Sequence, residues 1–192
     1  MGMLIIIQGP PCSGKSTWAR KRAEGKEDVV IVSPDALRHA LGDYWVPARE
    51  DYVSKVEEFM LETALKMKYT VVSDALNMAP ERLRMLRTLA DRNDAPVDIR
   101  TLYCTFREAV RRDSLPDRAH NVGEKAIRAF YEKHYPDRLA DELSRPAPPA
   151  PKEVERLMLD ADGRTVWRPT PKDLDDVKKL AGLRYRLSQI AR

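Results

Sequence analysis

At 192 residues the chain has room for one domain and one core but not for two of ordinary size, and its two cysteines, Cys12 and Cys104, exclude a disulfide framework and point to a reducing compartment. The 34 Lys and Arg against 30 Asp and Glu give a net charge of +4, with 19 basic and 15 acidic groups in residues 107–192 and 15 of each in residues 1–106, a bias that suits a polyanionic partner as well as a plain solvated face. No apolar run approaches the ~20 residues that span a bilayer and the chain starts on a core strand, so a soluble, cytoplasmic protein is expected.

Residues 3–8, Met-Leu-Ile-Ile-Ile-Gln, read as a buried strand that delivers the chain to Gly9-Pro10-Pro11-Cys12-Ser13-Gly14-Lys15-Ser16-Thr17. That segment fits, at every position, two glycines separated by four residues and followed by Lys and Ser, and Ser16 to Ala23 continues as a helix. Backbone N–H groups of such a loop and the positive end of the helix face the same anion. Gly14 lets the backbone approach phosphates, Lys15 reaches the β and γ oxygens, and the Ser16 hydroxyl suits Mg²⁺. A nucleoside triphosphate is the expected ligand.

Val29-Val30-Ile31-Val32 reads as a second buried strand, followed by Ser33-Pro34-Asp35-Ala36-Leu37-Arg38. Asp35 and Arg38 lie one helical turn apart: the carboxylate suits a general base for a phosphoryl-acceptor hydroxyl, and the guanidinium suits a clamp on an acceptor phosphate. An Asp favoured by the helix dipole beside a surface Arg is the plainer alternative. Val53, Val56, Phe59, Met60 and Ala64 then recur at helical spacing as an expected core stripe.

Thr70 to Ser73 reads as a third strand, with Asp74 and Asn77 just beyond it. Asp74 suits ordering of the Mg²⁺ shell through water, or a bond that fixes Arg38, or a plain cap of the next turn. Leu83, Leu86, Leu89 and Ala90 mark a helix after Pro80, and Val97 to Tyr103 reads as a fourth strand. Arg107, Arg111, Arg112 and Arg118 gather around Ser114-Leu115-Pro116-Asp117, where a mobile lid bringing a guanidinium over the phosphates is expected, a solvated helix end being the alternative. Strands alternating with helices give an α/β three-layer sandwich around a mostly parallel sheet of four to five strands, with its ligand site beyond the strands' carboxyl ends.

The spacing of the phosphate loop, Asp35, Arg38, Ser73-Asp74, Asn77, Pro80-Glu81-Arg82, the Arg112 to Arg118 stretch, Val122, Ile127 and Tyr131 resembles the 5′-kinase domain of phage polynucleotide kinase-phosphatases over about residues 3–140. The resemblance implies an adenylate-kinase-like P-loop NTPase fold with an Arg-rich lid, ATP and Mg²⁺ as cofactors, and the 5′-hydroxyl end of DNA or RNA as acceptor in a phage-infected or bacterial cell. It implies Asp35 as the base, Arg38 on the acceptor's phosphate, and Lys15, Ser16 and a lid arginine, best matched by Arg118, on ATP. Beside these, Asp74 and Asn77 are expected on the substrate side and Arg112 on the nucleotide. Related P-loop kinases of the zeta-toxin type share much of the pattern, so a nucleoside, a hydroxymethylated base in DNA or a sugar nucleotide is the alternative acceptor, and a non-catalytic nucleotide-gated module the alternative class.

One domain over residues 1–192 is expected: a core of about 1–144, a Pro-rich connector at 145–151, and a C-terminal piece at 152–192. In that piece Val154 to Leu159 reads as a strand, Asp162-Gly163 as a turn into Thr165-Val166-Trp167, and Lys172 to Leu180 as a closing helix. Leu159-Asp160-Ala161-Asp162-Gly163-Arg164-Thr165 echoes the Asp-x-Asp-Gly-Thr opening of the phosphatase domain in the bifunctional enzymes, but Arg164 breaks it and 27 residues follow Thr165, too few for that domain.

Overall fold

The computed structural model describes residues 2–116, 120–146, 158–159 and 165–167. Chain contacts divide it into two units, Met1–Ser144 and Arg145–Arg192. In the first, the strands β1 (Met3–Gln8), β2 (Val29–Val32), β3 (Thr70–Asp74) and β4 (Val97–Thr101) form one sheet in the order β2-β3-β1-β4, every pairing parallel. Leu4, Ile6, Val32 and Val71 face one side of it, and Ile5, Ile7 and Val72 the other. Near-continuous apolar strands are what a sheet covered on both faces requires, and each such side chain contributes about 1.5–3 kcal/mol through burial.

The covering helices supply the outer layers. Leu61, Ala64 and Leu65 of α3 (Glu50–Lys66) and Leu86, Leu89 and Ala90 of α4 (Pro80–Arg92) pack on the Leu4 face. Ala19 and Trp18 of α1 (Lys15–Ala23) pack on the Ile5 face. The chain is thus an α/β sandwich with a four-stranded parallel sheet. A third apolar cluster joins Phe106 and Ala109 of α5 (Phe106–Asp113), Ile127 and Tyr131 of α6 (Glu124–His134) and Leu139 of α7 (Pro136–Ser144) around Cys104.

The stripe expected on α3 is corrected. Its buried face is Val53, Glu57, Leu61, Ala64 and Leu65, whereas Phe59 is 68% exposed and Met60 also stands in solvent. Glu57 interrupts the apolar run that meets the sheet, and an ion pair with Arg82 of α4 satisfies it there. Burial still pushes the Glu57 carboxyl upward against the pull of Arg82.

In the second unit β5 (Met158–Leu159) and β6 (Thr165–Trp167) pair antiparallel, with Met158 opposite Trp167. The expected strand at 154–159 is described only at its end, and the turn at Asp162-Gly163 and the helix at Lys172 to Leu180 lie outside the described residues. Among the described residues no helix is long and apolar enough to cross a membrane.

Candidate active site

The carboxyl ends of three parallel strands meet at one edge, and each carries part of the site. At the end of β1 the phosphate loop demands its glycines for different reasons. Gly9 has φ +140°, and a Cβ there would lie 1.9 Å from the Leu102 carbonyl oxygen, so only glycine lets the loop cross the end of β4. Gly14 has φ +94° and caps α1 without any side-chain bond, and nothing lies within 4 Å of where its Cβ would be. The first turn of α1 carries no acidic residue of its own, which leaves its positive end suited to an anion.

Lys15 is buried and folds back on the loop, its Nζ donating to the Gly9 carbonyl at 3.0 Å and the Pro10 carbonyl at 2.6 Å. Burial lowers its pKa, and the neighbouring Asp74 carboxylate opposes that shift. Ser13 keeps a buried hydroxyl without a hydrogen-bond partner among the described residues. An orphaned buried hydroxyl in a glycine-bounded loop at a helix N-terminus fits a phosphate oxygen.

Asp74 ends β3, between the other two strands. Its carboxylate accepts a hydrogen bond from Ser16 on α1, and burial raises its pKa. The helix that follows starts at Pro80 with Ala79 as its cap, so Asp74 does not serve as that cap. A hydroxyl and a carboxylate side by side are hard oxygen donors of the kind that suits Mg²⁺.

Beyond β2, α2 (Pro34–Ala40) begins with Pro34, and Ser33 accepts from the Ala36 N–H as its cap. That leaves the Asp35 carboxylate for other work. Arg38 Nη1 donates to Asp35 Oδ1 at 2.6 Å and the Tyr44 hydroxyl donates to the same oxygen at 2.8 Å. Among the described residues both hydrogen bonds to this carboxylate converge on Oδ1, and its side chain is 61% exposed. Charge reaches across the edge: the Asp35 carboxylate acts on both Lys15 and Asp74.

Arg38 is held by a residue the sequence did not flag. Its Nε and Nη2 donate to the two oxygens of Glu50, at 2.9 and 2.6 Å, a bidentate fork. The bonds that fix Arg38 among the described residues thus come from Glu50 and Asp35. Tyr44, also unflagged, stacks on His120 with ring centroids 3.8 Å apart. Its hydroxyl is pushed up to about 12, by burial first and then by the bond to Asp35. The Tyr44-Trp45 aromatic pair in a polar loop was the only signal available.

Asn77 sits at φ +47° and is buried. Its amide donates to the Ile7 carbonyl and to Ser73, accepts from Arg82, and its own carbonyl accepts from Gln8. These bonds lock β1, β3 and α4 together at the end of the sheet. Nearby, a cleft of about 410 Å³ opens between the loop after β3 and α6, with Met78, Arg82, Phe130 and Lys133 in its walls.

Arg112 reaches the phosphate loop, where Nη1 donates to the Cys12 carbonyl at 3.2 Å while Nε donates to Glu108 at 2.6 Å. Arg111 pairs with Glu108 on the helix surface, and the two guanidinium groups hold that carboxyl down at about 2. The Arg107 N–H donates to Glu142, which caps α5. Asp113, missed in the sequence, is buried and accepts from the Val122 and Gly123 N–H groups at 2.9 and 2.8 Å, tying together the two ends of the expected lid. The Cys12 thiol also donates to it, at 3.5 Å. Arg118 and Asp117 lie outside the described residues.

A parallel sheet with a phosphate loop after β1, and carboxylates at the end of β3 and just beyond β2, defines a P-loop kinase-like domain. The chain belongs to the AAA domain family, whose model matches residues 4–136. It is 27% identical over 135 residues to the L-seryl-tRNA(Sec) kinase of Methanococcus maripaludis, an alignment covering 68% of this chain and 52% of that protein. Among solved structures, the Pnkp1/Rnl/Hen1 RNA repair complex contains a chain with a TM-score of 0.61 at 25% identity, covering 84% of this chain and 53% of that one. Kti12 of Chaetomium thermophilum, solved with ADP-AlF3, shares the fold with a TM-score of 0.50 at 21% identity, over 68% of this chain and 79% of that one. The chain spans about half the length of the curated relative it matches.

Proposed function

We propose that this chain is an ATP-dependent polynucleotide kinase that moves the γ-phosphoryl group to a 5′-hydroxyl of RNA or DNA. The observation that carries the reading is the placement of Asp35: its carboxylate is anchored through Oδ1, stands in solvent, and acts electrostatically on the lysine of the phosphate loop. A carboxylate within reach of an acceptor hydroxyl takes its proton as the new O–P bond forms. Bound ATP would supply the phosphoryl group and Mg²⁺ would offset its charge, with Ser16 and Asp74 as the residues that would hold the metal.

In this reading the loop N–H groups, the Ser13 hydroxyl and Lys15 bind the phosphates. Lys15 exchanges its bonds to the Gly9 and Pro10 carbonyls for phosphate oxygens, whose negative charge favours the ammonium form that burial disfavours. Arg38, oriented by Glu50, contacts the acceptor's phosphate through N–H groups not spent on the two carboxylates. Arg112 and Arg118 are the lid cations. The names of two relatives support a nucleic-acid acceptor, one a kinase of a tRNA-borne serine and one part of an RNA repair complex.

The second reading is a kinase for another acceptor hydroxyl, favoured by the seryl-tRNA kinase likeness. Incubating the protein with γ-labelled ATP and either a 5′-OH oligonucleotide, a seryl-tRNA or free nucleosides separates the two. Label on the oligonucleotide end is the expected result. Label confined to another acceptor replaces the first reading with the second, and ATP binding without any transfer leaves a nucleotide-gated module.

A further inference from the structure

We propose that the indole of Trp45 is a stacking shelf for an unpaired nucleobase at the 5′ end of the acceptor strand. The inference rests on the polynucleotide reading above and adds the end geometry that the enzyme selects. Trp45 is 60% exposed, a large apolar ring held in water. A single exposed aromatic is unremarkable by itself. This one is joined to the reaction site by a short run of contacts: the Arg38 guanidinium lies 5.3 Å from the Trp45 ring centroid and 5.9 Å from that of Tyr44, and it bonds Asp35 at 2.6 Å. An indole, a phenol and a guanidinium are thereby gathered beside the carboxylate that addresses the hydroxyl.

Aromatic rings interleaved with cations are the chemistry that holds single-stranded nucleic acid. The ring takes the face of a base, and the guanidinium attracts the phosphate attached to it. Arg49, which donates to the Leu41 carbonyl at 2.8 Å, adds a second cation at the end of the same loop. The Glu50 fork matters here because it fixes the guanidinium in place, so the shelf is formed before the strand arrives. Every base has a π face, so the shelf discriminates weakly among sequences. The terminal base of a blunt duplex is held in its pair and stacked on its neighbour, so it reaches the shelf only after unpairing, at a cost in free energy. The shelf therefore selects single-stranded or overhanging 5′ ends over blunt ones.

The test is steady-state transfer of labelled phosphate to matched 5′-overhanging, single-stranded and blunt oligonucleotides by the wild-type chain, Trp45→Ala and Trp45→Phe. Alanine is expected to raise KM for single-stranded ends about tenfold, as loss of one stacked base does, with kcat and the KM for ATP within about twofold. Phenylalanine should recover most of the loss, and the wild-type preference for overhanging over blunt ends should shrink in the alanine variant. An unchanged oligonucleotide KM in Trp45→Ala overturns the shelf while leaving the kinase intact. A rise in the KM for ATP instead assigns the indole to the nucleotide, and loss of a wild-type dimer on sedimentation assigns it to a second copy; either overturns the proposal. If the wild-type chain labels no 5′-OH oligonucleotide at all, the polynucleotide reading fails first and the shelf falls with it.

Discussion

The two halves of the site are built from different materials. The half proposed to hold the phosphate donor, Gly9 to Thr17 with Asp74, is largely buried and defined by backbone: two glycines with positive φ, a lysine folded on carbonyls, a helix end capped by glycine without a side-chain bond. The half proposed to meet the acceptor, Asp35, Arg38, Tyr44 and Glu50, stands nearer solvent and is defined by side-chain bonds across a loop. Substitution in the first should remove nucleotide binding, and substitution in the second should leave it. The comparison is therefore open to direct attack from either side.

The largest effect is expected at Asp35. Asp35→Ala should lower kcat by about 10²–10⁴-fold, the usual worth of a general base, while the dissociation constant for ATP, read by isothermal titration, stays within about twofold. Gly9→Ala should do the opposite. With its Cβ against the Leu102 carbonyl and φ at +140°, the loop must move, and a strain of ~3 kcal/mol would weaken ATP binding by about 100-fold.

A smaller loss is expected for Glu50→Gln, which keeps the shape but removes the charged fork on Arg38. The KM for the acceptor should rise about five- to tenfold, corresponding to ~1–1.4 kcal/mol for a weakened charge-assisted bond. Asp113→Asn tests the lid tie: it weakens the acceptance of two N–H groups, and unfolding in urea should show a loss of about 1–3 kcal/mol.

The smallest effect concerns Tyr44. Its folded pKa, raised to about 12 from an ordinary value of 10, means that the folded chain holds the proton more tightly than the unfolded one. The stability it lends is present below pH 10 and is lost as pH rises from 10 toward 12. Because the ring is partly exposed, that contribution should be under about 1 kcal/mol. In Tyr44→Phe this alkaline loss should be missing, as measured by unfolding at pH 8 and at pH 11.

What was legible in the sequence follows the same division. The phosphate loop and the four strands could be read because backbone geometry permits few residues at Gly9 and Gly14, and because buried strands must be apolar. On α3 the reading slipped, since Phe59 and Met60 make a tidy helical spacing while Glu57 sits on the buried face with Arg82 as its partner. Nothing in a linear pattern announces an ion pair between helices. Glu50 and Tyr44 went unnoticed for the same reason, being joined to Asp35 and Arg38 only after the loop 41–49 folds back. Asp113 lay hidden among arginines that drew notice to charge rather than to the two N–H groups it holds. Asn77 was noticed, but its spacing after β3 did not announce the buried bonds it makes at φ +47°.

Whether the donor and acceptor halves face one another over a reacting pair of groups is best tested by a structure of the chain with a non-hydrolysable ATP analogue, Mg²⁺ and a 5′-OH oligonucleotide. The expected result is the 5′-oxygen about 2.6–3.2 Å from the Asp35 carboxylate, in line with the terminal phosphate held by Lys15. A strand bound elsewhere, or packed side chains between Asp35 and that phosphate, would contradict the phosphotransferase assignment and leave nucleotide binding alone.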